Sequence, residues 1–261
     1  FPTEQVISKI ETMVGGPNVK RVCIQTLNYP KAFDDVFALA KEIQLRTDVP
    51  LSVSCQPFTS AQMKLLEEVG VDRISVALDA ATEELFNKVK GALANSPYRW
   101  ETHRQTLVKA VQAFGKNRVY THLVVGLGET EKEIIQAIQW CTDIGVYPSL
   151  FAFTPIPGTA LEALSQPSVA TYRRVQLAQN LIVHGKARCE NMKFDKGERL
   201  IDYGVSKRLL QRLIETGTPF LTSGCPGCNR PYYNERPGGP LYNYPRQPLP
   251  DEIREIKEHQ V

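Results

Sequence analysis

The stretch VYTHLVVGLGETEKEIIQAIQWCTDI (Val119–Ile144) decides the fold. Its first seven residues, Val119–Val125, are β-branched, aromatic or apolar and predict a strand. Gly126-Leu127-Gly128-Glu129 breaks the run, and Thr130 opens an amphipathic helix reaching Ile144. Strand, glycine turn and helix make one βα unit.

The same unit recurs to either side. Upstream, strands are predicted over Arg21–Leu27, Leu51–Cys55 and Arg73–Leu78. Helices follow over Ala32–Leu45, Ser60–Val69 (with Ser60 as N-cap), Thr82–Lys90 and Trp100–Phe114. Downstream, a strand is predicted over Ser149–Phe153, helices over Val169–His184 and Val205–Glu215, and a short strand near Asn191–Phe194. Apolar strands alternating with helices specify an α/β fold with a parallel sheet, here a partial TIM-type β/α barrel. Residues 1–216 form the barrel. Residues 217–261 are a Pro/Tyr-rich C-terminal extension whose recurrent prolines exclude a helix or a central strand over residues 223–245. At the other end Phe1-Pro2-Thr3-Glu4-Gln5 opens a helix, with Thr3 available as its cap. No strand precedes it, so the expectation is that an N-terminal piece is missing from these residues.

Composition narrows the class. Hydrophobic content of 42% and charged content of 23% in 261 residues are ordinary for a soluble globule. A net charge of +3 does not argue for nucleic acid, and no apolar run approaches the ~18 residues that span a bilayer. The start carries no signal-peptide pattern, and six cysteines in a chain of this size do not make a disulfide framework. The expected setting is the cytoplasm, with thiols reduced or partly on a metal.

Five strands end in polar or glycine-rich turns: Thr26-Leu27-Asn28, Gln56-Pro57, Asp79, Gly126-Leu127-Gly128-Glu129, and Thr154-Pro155-Ile156-Pro157-Gly158-Thr159. In a parallel barrel chemistry collects at the C-terminal strand ends, so five such turns in order predict a shared active-site rim. Each has a plainer reading. The glycine pair is either a close approach to a ligand or a tight βα turn, and it is not a dinucleotide fingerprint. Asp79 either accepts hydrogen bonds from a ribose diol or caps the next helix, in competition with Thr82. Cys23 and Cys55, on neighbouring strands, are small core hydrophobes or face one barrel interior together. Cys141 is expected in the core; the residues leave Cys189 undecided. Cys225 and Cys228 form a C-x-x-C pair, which lets two thiolates reach one metal or cluster. No second pair or histidine stands at zinc-ligand spacing and no βαβ context suits a redox pair, so an iron–sulfur cluster completed elsewhere fits best.

Taken together, these segments resemble the radical S-adenosylmethionine enzymes of the biotin synthase and lipoyl synthase group, from about Phe1 to Thr216. Arg21-Val22-Cys23 and Ser54-Cys55 resemble strands that carry cluster cysteines there. Ser75-Val76-Ala77-Leu78-Asp79 resembles the ribose-contacting strand, and Leu123–Glu129 the strand end beside the adenosyl group. Phe153–Thr159 resembles the loop that holds adenine. Cys225-Pro226-Gly227-Cys228-Asn229-Arg230-Pro231, continuing through Arg236–Pro240, resembles the two-protein type of lipoyl synthase. Two features depart from the pattern. The C-x-x-x-C-x-x-C loop of the cluster that cleaves S-adenosylmethionine is not among these residues. Tyr120 and Lys193 stand where a biotin synthase has a third cluster cysteine and an arginine.

The resemblance implies S-adenosylmethionine held by Asp79, Gly126, Gly128, Glu129, Pro155 and Ile156. It implies a 4Fe-4S cluster, and an auxiliary iron–sulfur cluster on Cys225 and Cys228 with Cys23 or Cys55. It further implies sulfur insertion at C6 or C8 of an octanoyl chain by a 5′-deoxyadenosyl radical, the tail standing over the barrel mouth. The implied partners are an octanoylated lipoyl carrier protein, a second lipoyl synthase component and a reductant such as ferredoxin or flavodoxin, with no nucleic acid and no membrane. Arg230, Arg236 and Arg246 either steer the carrier or are solvated surface. Competing readings are a biotin synthase-like or other radical enzyme, a non-catalytic metal-binding scaffold, and an aldolase-type barrel, for which Lys193 is the only Schiff-base candidate.

Overall fold

The computed structural model describes residues 2–14, 19–228 and 240–258. In chain order the elements are α1 (Thr3–Val14), β1 (Val22–Gln25), α2 (Ala32–Arg46), β2 (Leu51–Cys55), α3 (Ser60–Glu68), β3 (Val71–Val76), α4 (Glu83–Val89), α5 (Trp100–Phe114), β4 (Val119–Val125), α6 (Glu131–Asp143), β5 (Val146–Ala152), α7 (Val169–Val183), β6 (Lys193–Phe194), β7 (Leu200–Asp202), α8 (Lys207–Thr216) and α9 (Pro250–Glu258). Strands β1 to β5 lie side by side in sequence order, all parallel, which is the expected partial barrel wall. The short strand near Phe194 pairs antiparallel with β7 as a separate hairpin. Sequence periodicity had not marked β7 or α9.

Local chemistry sets the helix starts. Thr59, not Ser60, caps α3, in a reciprocal box with Gln62; Thr130 and Glu133 do the same for α6. Ser168 and Ser206 cap α7 and α8. At the N-terminus Val6 donates to the carbonyl of Pro2, so Thr3 lies inside α1 rather than capping it.

The two faces of the sheet differ. Leu51, Val53, Ile74, Val76, Val119, Leu123 and Val125 are buried on the convex side under α2, α3, α5, α6 and α7, in two contiguous apolar clusters. The alternate residues, Ser52, Ser54, Arg73, Ser75, Tyr120, His122 and Ser149, line the concave side. A parallel strand buried on both faces normally reads as continuous apolar sequence. Polar residues at every second position therefore mark the concave face as a site rather than a core.

The described part of the tail packs on the barrel. Phe220, Tyr244 and Ile256 join Leu177 and Ile214 in a third apolar cluster. Arg173, buried in α7, donates to the carbonyls of Leu241 and Tyr242, and the Tyr172 hydroxyl donates to Asn243. Satisfying buried carbonyls from a buried guanidinium fixes the path of residues 241–244. Ser223 accepts from the backbone N–H of Leu150 on β5, which leads residues 223–228 across the concave face.

Candidate active site

The rim is built first by backbone. Asp79 follows β3 with φ +66, in the left-handed region. Its N–H donates to the His122 carbonyl (2.8 Å) and its carbonyl accepts from Val124 N–H (2.7 Å), which ties the exit of β3 to β4. Aspartate tolerates this conformation better than most residues. Asp79 does not cap α4: Thr82 does, accepting from Leu85 N–H. An N-cap needs extended backbone, which Asp79 lacks. Its carboxylate instead accepts from Lys90 Nζ at 2.7 Å, and Lys90 also donates to the Ala77 carbonyl at 2.6 Å.

The glycine turn closes on itself. Glu129 precedes the Thr130 cap, and its two carboxylate oxygens accept from the N–H groups of Gly126 (2.6 Å) and Leu127 (2.9 Å). Burial pushes the Glu129 carboxyl up, opposed by those donors. Both glycines have positive φ, +103 and +117. A Cβ on Gly126 would stand 2.7 Å from Pro167 Cδ, whereas at Gly128 only Leu85 Cδ2 comes near, at 3.6 Å. Gly126 is wedged and Gly128 faces space. In the loop after β5, Pro155 is half-buried and Ile156 is 61% exposed.

Beneath the rim lies His103 of α5, fully buried, with Nδ1 3.0 Å from the Arg99 carbonyl and Nε2 3.2 Å from the Gln56 side chain. Burial, reinforced by the nearby Lys90 charge, lowers it to about 4, so the ring is neutral.

The concave face carries a cavity of about 170 Å³ lined by Cys23, which is exposed, and by Cys225 and Cys228 together with Ser52, Arg73, Tyr120 and His122. Cys225 Sγ lies 3.5 Å from Ser52 Oγ, and Arg21 Nη1 donates to that same hydroxyl at 3.0 Å. Arg21 also reaches the Pro226 carbonyl (3.4 Å) and Asp72 (2.6 Å), and Asp72 is 3.1 Å from Arg73. Burial pushes the Cys225 thiol up, while the Ser52 bond and the Arg21 charge pull it down. Tyr120 is pushed up to about 12, chiefly by burial.

Several expectations are corrected. Cys55 does not share this cavity. Cys23 pairs in register with Ser52, and Cys55 lies an odd number of residues further on, so the pleat turns it to the opposite face. Its thiol is buried in the helix-packed core, 3.7 Å from the Ser75 carbonyl, and desolvation raises its pKa strongly. Cys225 and Cys228 are not over the mouth: their neighbours Arg21 and Ser52 stand at the start of β1 and β2, so the pair enters at the lower half of the barrel. Arg246 is not a lone steering charge, because Glu252 holds it in two bonds of 2.7 and 2.9 Å. Arg230 and Arg236, and the remainder of the tail between Cys228 and Pro240, lie outside the described residues. Lys193 is exposed on the β6–β7 hairpin beside Asp202. Cys141 is in the core as expected; Cys189 is buried at the Gln139 side chain, to which its N–H donates. Among the described residues no three His, Cys, Asp or Glu side chains stand together in a metal-binding arrangement.

Sequence reading missed Lys90, His103, Arg21 and Arg73. The alternation Arg73–Ser75 and Ser52–Ser54 inside apolar strands was the available signal for the cavity; nothing local marked Lys90.

Residues 1–141 match the family model described as the Radical SAM superfamily. Among curated proteins the chain is 28% identical over 150 residues to the biotin synthase of Persephonella marina, covering 56% of this chain and 42% of that protein. It is 25% identical over 180 residues to the GTP 3′,8-cyclase of Limosilactobacillus fermentum, covering 65% of this chain and 51% of that protein. The chain thus spans about half the length of the curated relatives it matches. Among solved structures, the FeFe-hydrogenase maturase HydG superposes with a TM-score of 0.60 at 15% identity, over 72% of this chain and 44% of that one. Methylornithine synthase superposes with a TM-score of 0.57 at 14% identity, over 70% and 53%. These likenesses concern the fold alone.

Proposed function

Since the chain belongs to the radical S-adenosylmethionine superfamily, we propose that it is a sulfur-inserting member, a component of a two-protein lipoyl synthase. The family implies S-adenosylmethionine and a 4Fe-4S cluster. The residues fit these groups unequally. The rim suits an adenosyl group: a fixed carboxylate at Asp79, an open glycine at Gly128 and the half-buried Pro155 surround the strand ends. The cysteine loop for the 4Fe-4S cluster is not among the 261 residues. Bound S-adenosylmethionine supplies carbon-radical chemistry for breaking an unactivated C–H bond.

The observation that supports sulfur insertion is that Cys225, Cys228 and Cys23 line one cavity below the rim. As they stand the three thiols do not form a three-ligand set, so an auxiliary iron–sulfur cluster on them would draw them together as it binds, with Arg21 and Arg73 beside it to offset its negative charge. In this reading residues 217–261 act as a functional extension that brings the pair into the barrel. The substrate is an octanoyl chain on a lipoyl carrier protein, attacked at C6 or C8, with a second synthase component and a ferredoxin- or flavodoxin-type reductant in the cytoplasm. No helix among the described residues is long and apolar enough to cross a membrane. A biotin synthase-like reaction fits about equally well, supported by the partial identity to a biotin synthase and by Cys23 on the first strand.

The test is iron and sulfide content after anaerobic reconstitution of the wild type, Cys225→Ala, Cys228→Ala, Cys23→Ala and Cys55→Ala. The first three substitutions are expected to abolish the cluster and Cys55→Ala to leave it intact. No iron, or zinc alone on the same pair, would leave a non-catalytic scaffold. Turnover of octanoyl-carrier against dethiobiotin then separates the two enzymatic readings.

A further inference from the structure

We propose that Lys90 is a positioning residue for nucleoside recognition: its ammonium holds the Asp79 carboxylate from behind, so that the remaining oxygen is presented to a ribose diol. This rests on Asp79 being the ribose contact of the rim. Lys90 is the C-cap that follows α4, and its side chain runs back to the exit of β3, where it bonds Asp79 Oδ2 (2.7 Å) and the Ala77 carbonyl (2.6 Å). The exposures have a direction: the Lys90 side chain is 11% exposed and that of Asp79 29%. The cation is therefore behind and the carboxylate in front.

Three further features make the pair a fixed device. The Asp79 backbone is bonded to β4 on both sides, so its left-handed conformation, and with it the direction of Cβ, is set. The Tyr98 ring lies 5.6 Å from the ammonium and shields it on a second side. His103, the other nearby base, is neutral and adds no competing cation. A carboxylate already oriented by one partner loses little freedom when it accepts from a diol, which is the energetic meaning of preorganisation. Lys90 contacts no ligand in this scheme and acts only through Asp79.

The test compares adenosine with 2′,3′-dideoxyadenosine for binding to the full purified chain by equilibrium dialysis. Two hydrogen bonds to a charged group predict that the wild type prefers adenosine by about 10-fold or more. Asp79→Asn should abolish that preference. Lys90→Met should reduce it to within about 3-fold, and Lys90→Arg should retain most of it, since both bonds can be remade. Lys90→Gln replaces Lys90→Met if that variant fails to fold by circular dichroism. A purely structural ion pair would lower the thermal midpoint without changing the ratio of the two affinities. A full diol preference in folded Lys90→Met overturns the role of Lys90 and leaves Asp79 standing. A wild type that binds neither nucleoside, or both equally, overturns the ribose reading of Asp79 and this inference with it.

Discussion

Replacing Gly126 by alanine tests whether the rim is wedged as the geometry requires. Two costs add. The residue sits at φ +103, where an L side chain is strained by about 1–2 kcal/mol. The new Cβ would also stand 2.7, 3.1 and 3.2 Å from three carbons of the Pro167 ring. That ring has little room to retreat: its carbonyl accepts from Tyr242 Oη at 2.7 Å, and the next residue, Ser168, caps α7. Overpacking of this kind costs about 1–3 kcal/mol, which brings the total to about 2–5 kcal/mol. Gly158 supplies the control, with φ +79 and nothing within 4 Å of its added Cβ, so Gly158→Ala should cost only the backbone share. Urea unfolding at unchanged m-value measures both. Pro167→Ala in the Gly126→Ala background should recover the steric share, read as a coupling energy of about 1–3 kcal/mol. Equal losses for the two glycine variants, or no recovery with Pro167→Ala, would refute the wedge.

Other outcomes follow from buried charge and burial. Arg174→Met leaves the Glu131 carboxylate, 8% exposed and also bonded to Leu200 N–H, without its cation; the expected loss is about 3–5 kcal/mol by denaturant titration. His103 is lowered to about 4 from 6.5, so between those values the unfolded chain binds the extra proton. Stability should be fully present above pH 6.5 and fall by about 2–3 kcal/mol as pH drops to 4, and His103→Phe should flatten that slope when unfolding free energy is measured across the range. Under native conditions iodoacetamide should label Cys23, Cys225 and Cys228 well before Cys55 and Cys141, whose thiols are buried and pushed up, Cys141 to about 12. Mass spectrometry that finds Cys55 modified first would contradict the assigned strand face.

The order of strands and helices could be read from local pattern because each βα unit carries its own signals: a β-branched run, a glycine or polar turn, and a capped amphipathic helix. Thr130 with Glu133 is such a signal, and the helix starts where it says. The same local logic misplaced the cap of α3 by one residue, because Thr59 and Ser60 are both competent and only the reciprocal bond to Gln62 distinguishes them. The rim turns were visible for the reason that strand ends are short, polar and glycine-rich.

What sequence alone determined was the α/β class, the run of parallel strands and the residues that gather at their C-terminal ends, since these follow from periodicity and turn chemistry within a few neighbouring residues. Tertiary structure alone decided which cysteines share a cavity. The face of a strand residue depends on register against a neighbour some thirty positions away, and that register pairs Cys23 with Ser52 and turns Cys55 outward. It also decided that Lys90 backs Asp79, because that contact exists only after α4 has folded back onto the strand it left.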